Sequence, residues 1–306
     1  MDSSEQGLFQ LRATLADSRF PCKPFFVLGS VTDTSLVNEI FAAHSPGFVF
    51  HAAAYKHLAL LEEQPLGAIA NNALGTRTLA ACAARRGAAR IVLVSTDKVA
   101  EPISILGATK HIAEQITLAH NGIAVRLANV LGTRGSVVES FLHQISAHEA
   151  ITIRNCDAER YFMTCEEAVD LILAAAIEES CGTVVVPQIH SRHRIDLLAQ
   201  FLCKAVANED QPEFVFGALY PGEKVREALW GHKERPTQAA SNGYWLLTYT
   251  SAHSSLGKLL VRLSDAVEGR NIARALELVV ELVPGYEPSS TVTALMQRSV
   301  LGVLQQ

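Results

Sequence analysis

Short β-prone apolar runs alternate along this chain with longer stretches in which apolar residues recur at helical spacing. The clearest run is Ile91 to Val94, which ends abruptly in Ser95, Thr96, Asp97 and Lys98. It reads as a buried parallel strand delivering polar groups at its carboxyl end, the edge where open α/β sheets keep their ligands. A loop containing Pro102 follows, and Gly107 to Lys110 open a helix running to about Asn121. Lys110 can reach back from that helix toward the strand, so two lysines and an acid converge on one crevice.

The flanking pattern extends the alternation in both directions. Leu8, Leu11 and Leu15 mark a helix over residues 3–16, capped by Ser3 or Ser4. Phe25 to Gly29 reads as a short buried strand, and Thr34 to Ala43 as a helix started by Asp33 or Thr34. Gly47 to Phe50 reads as a strand running into His51, Ala52, Ala53 and Ala54, and small residues there let a flat ligand lie against the backbone. A long helix covers Pro65 to Arg86 and closes at Gly87.

Beyond Gly122, strands at 124–127, 151–153 and 183–186 alternate with helices at 137–148, 165–178 and 195–207. Tyr220 to Lys224 marks a turn entering another helix. From about Arg235 the texture changes to a polar linker, an apolar segment at Tyr244 to Tyr249 and two helices, 255–268 and 271–282. Such alternation implies right-handed βαβ units and a parallel sheet.

Composition narrows the function classes. With 306 residues, 49% hydrophobic and 19% charged, the chain can bury a sizeable core, which excludes a disordered protein. A net charge of -5 without any Lys/Arg block argues against nucleic acid and anionic membrane surfaces as partners. Cys22, Cys82, Cys156, Cys165, Cys181 and Cys203 show no CxxC pair or His ligand spacing, so reduced cytoplasmic thiols are expected, with neither a metal site nor a disulfide framework. The longest apolar run, Leu171 to Ile177, is too short to span a bilayer, and the first ten residues have no apolar signal core.

Individual polar residues carry two readings each. Lys56 and His57, after the small-residue strand end, are candidate cofactor or sugar contacts, with solvated loop residues as the alternative. Arg160 offers a bidentate fork and Lys224 a point charge to a diphosphate. Asn129 either hydrogen-bonds a substrate or caps the turn to Gly132.

The strings FVFHAAAYKH (Phe48 to His57), NNALGT (Asn71 to Thr76), VSTDK (Val94 to Lys98), LGATK (Leu106 to Lys110), NVLGTRGSVV (Asn129 to Val138), RYFMT (Arg160 to Thr164) and PGEK (Pro221 to Lys224) resemble the CapD-type polysaccharide biosynthesis proteins. These are UDP-N-acetylglucosamine 4,6-dehydratases and related epimerases of the extended short-chain dehydrogenase/reductase superfamily. The resemblance implies an α/β fold built on an incomplete Rossmann-like, doubly wound parallel sheet. It divides the chain into a partial NAD(P)-binding domain (1–128), an interleaved sugar-nucleotide-binding region (129–234) and a C-terminal helical extension (235–306).

The implied chemistry is an internal redox cycle on a UDP-sugar with NADP (or NAD) as cofactor. Carried over by position, Lys98 is the base at carbon 5, Asp97 the acid for the 6-hydroxyl, and Thr96 hydrogen-bonds the 4-oxygen. Lys110 matches the lysine that holds the nicotinamide ribose, Asp2 the adenosine ribose, and His51, Ala52, Ala53 and Lys56 the cofactor-binding strand end. Asn129, Arg160 and Lys224 become substrate contacts. As a base Lys98 must be neutral, so burial or Lys110 is expected to depress its pKa.

The chain also departs from the family pattern. Leu106 stands where the superfamily has its catalytic Tyr, Ser30 where an Asp faces the adenine, and Tyr220 where an Arg precedes PGEK. Gln188 and His190 replace a usual Asp and Gly. No GxGxxG turn precedes Asp2, so the first strand, its glycine turn and most of the second strand are expected to belong to a longer protein read here from an internal Met. The alternatives are a sheet that closes by sliding Phe25–Gly29 beside Phe48–Phe50, or another chain in the gap. Weak cofactor retention follows, and two classes stay open: a 4,6-dehydratase or epimerase, and a non-catalytic UDP-sugar-binding or interaction remnant. Homo-oligomer formation is a further open expectation.

Overall fold

A computed structural model describes residues 1–16, 23–86, 90–207, 212–238, 243–248 and 255–303, with side chains characterised to 297. Gly87, Cys22 and Tyr249 lie outside the described residues. The centre is a six-stranded sheet ordered Phe48–His51, Arg90–Thr96, Ile123–Leu127, Thr183–Pro187, Tyr244–Thr248, Pro236–Gln238. Neighbouring strands among the first four run parallel, and the last two join antiparallel. The stretch read as a helical extension therefore begins by adding two strands to the sheet.

Val92, Leu93, Ile123, Ala124, Val125, Val184 and Val185 are buried to near zero exposure, as near-continuous apolar runs must be when both sheet faces are covered. Helix Cys165–Ile177 covers one face through Ala168, Leu171 and Ala175. On the other lies helix Ile105–Ala119, whose Ala113 meets Leu93 and Ala124. Three tail helices, Leu256–Glu268, Ile272–Leu282 and Ser290–Val303, pack on its outer side, tied by Gln115 Nε2 to the Leu282 carbonyl at 2.9 Å and Arg77 to the Leu260 carbonyl at 3.1 Å. A smaller lobe forms around Phe141, Ile145, Ile151, Ile153 and Ile195.

Several expectations are corrected. Phe25–Gly29 is not a buried strand: Phe25 is 70% and Leu28 56% exposed, and Leu28 makes only an isolated parallel bridge to Asp2. Nor does the sheet close, since Phe48–His51 pairs only with Arg90–Thr96 among the described residues. The Leu8, Leu11 and Leu15 stripe forms helix Glu5–Ala16, yet none of that helix is buried. The segment after Lys224 is not helical, because Arg226 bridges Glu159 and Arg160 donates to the Val225 carbonyl, holding the backbone extended. The long helix at Pro65–Arg85 contains a π-helical turn, Ile69–Leu74.

Candidate active site

The strand Arg90–Thr96 ends in a single 3-10 turn, Asp97–Val99, whose N-cap is Thr96. That turn fixes the central pair of charges. Asp97 is fully buried and its Oδ1 accepts from Lys98 Nζ at 2.9 Å and Thr96 Oγ1 at 3.1 Å. Lys98 Nζ also donates to Asn129 Oδ1 at 3.3 Å, so Asn129 belongs to this cluster rather than to a cap. The second oxygen of Asp97, Oδ2, is buried without a hydrogen-bond partner among the described residues.

Helix Ile105–Ala119 begins three residues earlier than its sequence suggests, at Ser104, whose Oγ accepts from Gly107 N at 3.1 Å. Glu62 adds a second cap, accepting from Ile105 N at 2.7 Å. At Gly107 the helix lies so close to the Asp97–Val99 turn that a Cβ would sit 2.3 Å from the Lys98 carbonyl oxygen. One turn further on stands Lys110, 3% exposed, with its Nζ lacking any hydrogen-bond partner among the described residues. Burial, partly offset by the Glu114 carboxylate, lowers the Lys110 ammonium to about 8. Leu106, in the first turn of the same helix, is buried in the apolar cluster.

Lys98 behaves differently from expectation. Burial pushes its ammonium down, but the Asp97 and Glu227 carboxylates outweigh that and hold it above the ordinary lysine range. The lysine with the depressed pKa is Lys110. Sequence reasoning missed Glu227, which lies three residues past Lys224 in a segment taken for a helix. Its carboxylate is buried, with Oε1 3.9 Å from Lys98 Nζ and Oε2 3.5 Å from Lys224 Nζ.

The remaining candidates sort by what they touch. Thr96, Asp97, Lys98 and Asn129 form one cluster, and Lys224 joins it through Glu227 while donating to the Ala100 carbonyl at 2.6 Å. Arg160 is engaged within the protein, with Nη2 2.9 Å from Glu223 Oε1. Lys56 donates to the Arg134 carbonyl and braces that loop. His51 is a core histidine: Nε2 lies 2.8 Å from Thr76 Oγ1, and burial, then Lys110, lower its pKa to about 3. Tyr220 carries the Arg154 guanidinium 3.3 Å above its ring, so a cation does stand beside the PGEK turn, brought by another strand.

A cleft of about 150 Å³ opens between Asp2, Gly29, Ser30 and Val31 on one side and Ala52, Ala53, Ala54, Tyr55 and Asn71 on the other. Asn72, also unassigned from sequence, braces it by accepting from Tyr55 N at 2.8 Å and donating to the Tyr55 carbonyl at 3.1 Å and Thr109 Oγ1 at 3.4 Å. An acidic residue at one end, small residues along the floor and an orphaned buried ammonium near the reacting groups suit the two ribose ends of a nicotinamide dinucleotide. Among the described residues no cluster of His, Cys, Asp and Glu is arranged to hold a metal ion.

Fold and site together define a Rossmann-like α/β protein with a lysine–carboxylate crevice at its strand ends. The chain belongs to the polysaccharide biosynthesis protein family, whose sequence model matches residues 1–248. It is 36% identical over 216 residues to the capsular polysaccharide biosynthesis protein CapD of Staphylococcus aureus, covering 68% of this chain and 36% of that protein. The chain thus spans about a third of that relative's length. Among solved structures it resembles Pen from Bacillus thuringiensis (TM-score 0.75, 24% identity, 81% of this chain and 79% of that one). A second is DesIV, a dTDP-glucose 4,6-dehydratase from Streptomyces venezuelae solved with NAD and TYD bound (TM-score 0.62, 19% identity, 76% and 80% coverage). Among the described residues no helix is long and apolar enough to cross a membrane.

Proposed function

We propose that the chain carries the site of a nucleotide-sugar-converting enzyme that dehydrates UDP-N-acetylglucosamine across carbons 5 and 6. The observation that carries this reading is the Thr96–Asp97–Lys98 chain of hydrogen bonds at the strand end, with Lys110 as a second, unpartnered buried ammonium on the helix that packs against that turn. A nicotinamide cofactor, when bound, would supply the redox chemistry at carbons 4 and 6. Lys110 would hold the nicotinamide ribose, Ala52 and Ala53 would floor the cofactor, and Asp2 would meet the adenosine ribose. A carboxylate at that ribose repels a 2′-phosphate, which favours NAD over NADP.

Leu106 provides no phenol, so the 4-hydroxyl proton passes through Thr96 Oγ1 to Asp97 as carbon 4 is oxidised. The ketone acidifies carbon 5. Neutral Lys98 removes that proton, the electron pair forms the C5–C6 double bond, the C6–O6 bond breaks, and Asp97 protonates O6, which leaves as water. Lys98 then returns its proton to carbon 5, which completes the 4-keto-6-deoxy product. Arg154 over Tyr220, which has no acidic partner among the described residues, is our choice for the diphosphate, ahead of Arg160, whose Nη2 is taken by Glu223 and whose Nη1 is taken by the Glu159 and Val225 carbonyls.

The test is incubation with UDP-N-acetylglucosamine and NAD, following loss of one water by mass spectrometry and the 4-keto-6-deoxy product by NMR. The non-catalytic reading is supported by Ser30, Leu106 and Tyr220, which stand where the family has an Asp, the catalytic Tyr and an Arg. UDP-sugar binding without turnover, in the presence of saturating cofactor, would decide for it.

A further inference from the structure

The proton count of the proposed dehydration, on which this inference rests, leaves one transfer without a partner. Asp97 receives the 4-hydroxyl proton and spends it on O6. Lys98 receives the carbon-5 proton and gives it back to carbon 5. The cycle closes only if Lys98 starts it without an ammonium proton and Asp97 starts it as a carboxylate. Asp97 therefore cannot be where the Lys98 proton goes.

The groups facing Lys98 are few. Asp97 and Asn129 accept from its Nζ at 2.9 and 3.3 Å, Arg160 repels it, and Glu227 Oε1 stands 3.9 Å away. Glu227 is 2% exposed, and its Oε2 has no hydrogen bond although Lys224 Nζ lies 3.5 Å off. A buried carboxylate with spare acceptor capacity beside an ammonium that must be discharged is a proton acceptor in waiting. Closure by roughly 1 Å brings the pair into hydrogen-bond range, the tightening expected when substrate fills a site.

We propose that Glu227 is a positioning residue that acts through Lys98, taking its ammonium proton at the start of each cycle and holding it while Lys98 works as the base. Lys98 and Glu227 then share one proton across the working pH range. The fraction in the active arrangement, neutral lysine and protonated carboxyl, does not vary with pH in that range.

The experiment compares wild type, Glu227→Gln and Glu227→Asp, each saturated with cofactor. Lys110 titrates near 8 in all three proteins, so the readout is the ratio of variant to wild-type turnover of UDP-N-acetylglucosamine. For Glu227→Gln that ratio should rise about tenfold per pH unit between about pH 7 and 9, because its Lys98 proton must leave to solvent. For Glu227→Asp the ratio should stay constant. A Glu227→Gln ratio that is low but independent of pH overturns the proposal. A second readout needs no turnover: competitive acetylation of Lys98, followed by peptide mass spectrometry, should show its titration shifted down by about one unit or more in Glu227→Gln. Unchanged labelling also overturns it. Coupled labelling without turnover by wild type overturns the dehydratase reading itself, and the proton-acceptor role with it.

Discussion

Two buried charge clusters lie within a few residues of each other on the same strand and helix, and they are built oppositely. In the first, Arg126 is completely buried and both arms are filled: Nε and Nη2 donate to Glu114 at 3.0 and 2.9 Å, and Nη1 and Nη2 to Glu234 at 2.7 and 2.6 Å. Ser95 Oγ completes the Glu114 carboxylate at 2.6 Å. In the second, Asp97 Oδ2, Lys110 Nζ and Glu227 Oε2 are buried with no hydrogen-bond partner among the described residues. Satisfied buried ions hold a fold in register, while unsatisfied ones cost stability and persist where a ligand completes them. The first cluster clamps the 229–234 loop to the sheet. The second is, under the proposed function, the part of the molecule that substrate would complete.

Mutation should separate the two. Arg126→Met leaves two buried carboxylates facing each other and is expected to cost about 3–5 kcal/mol, read as a drop in the denaturant midpoint. If stability is unchanged, the clamp is not structural and the contrast fails. Lys110→Met should act the other way. Lowering the ammonium from 10.5 to about 8 corresponds to roughly 3 kcal/mol of buried-charge penalty at neutral pH, so this variant should be more stable by about 1–3 kcal/mol. It should also lose nicotinamide binding, measured by fluorescence titration.

The pH dependence sharpens the same point. A lysine depressed in the folded state binds fewer protons there than in the unfolded chain between about pH 8 and 10.5, so its penalty is complete below 8 and is relieved as pH rises through that window. Wild type should gain stability across it relative to Lys110→Met. Parallel curves for the two proteins would refute the assignment. The smallest effect belongs to the scaffold of the second cluster: Ser104→Ala removes the N-cap of the helix carrying Lys110 and should cost about 1 kcal/mol by thermal denaturation.

Legibility followed locality. The capping box at Thr164 and Glu167 and the apolar spacing after it place helix Cys165–Ile177 within a residue of its reading. Asp97, Lys98 and Thr96 meet because they are adjacent in one turn, and such contacts can be read from a string. Helix Ser290–Val303 was not anticipated, although Ser289 Oγ accepts from Val292 N at 3.3 Å, because Ser, Thr and Val, all weak helix formers, fill much of its sequence. The charge state of Lys98 was not legible because Glu227, 129 residues further along the chain, reaches it through a segment whose extended shape is imposed by Glu159 and Arg160.

The π-helical turn at Ile69–Leu74 amounts to one surplus residue in a helix otherwise wound at the usual pitch. Deleting one residue there would restore regular winding, but everything on one side would rotate by about 100° and shift by about 1.5 Å relative to the other. Asn72 would turn away from Tyr55 and Thr109 and carry the rim of the cleft between Asp2 and Ala52 out of register with the helix that bears Lys110. A single-codon deletion in that turn is therefore a way to uncouple the two halves of the site without altering any side chain that lines it.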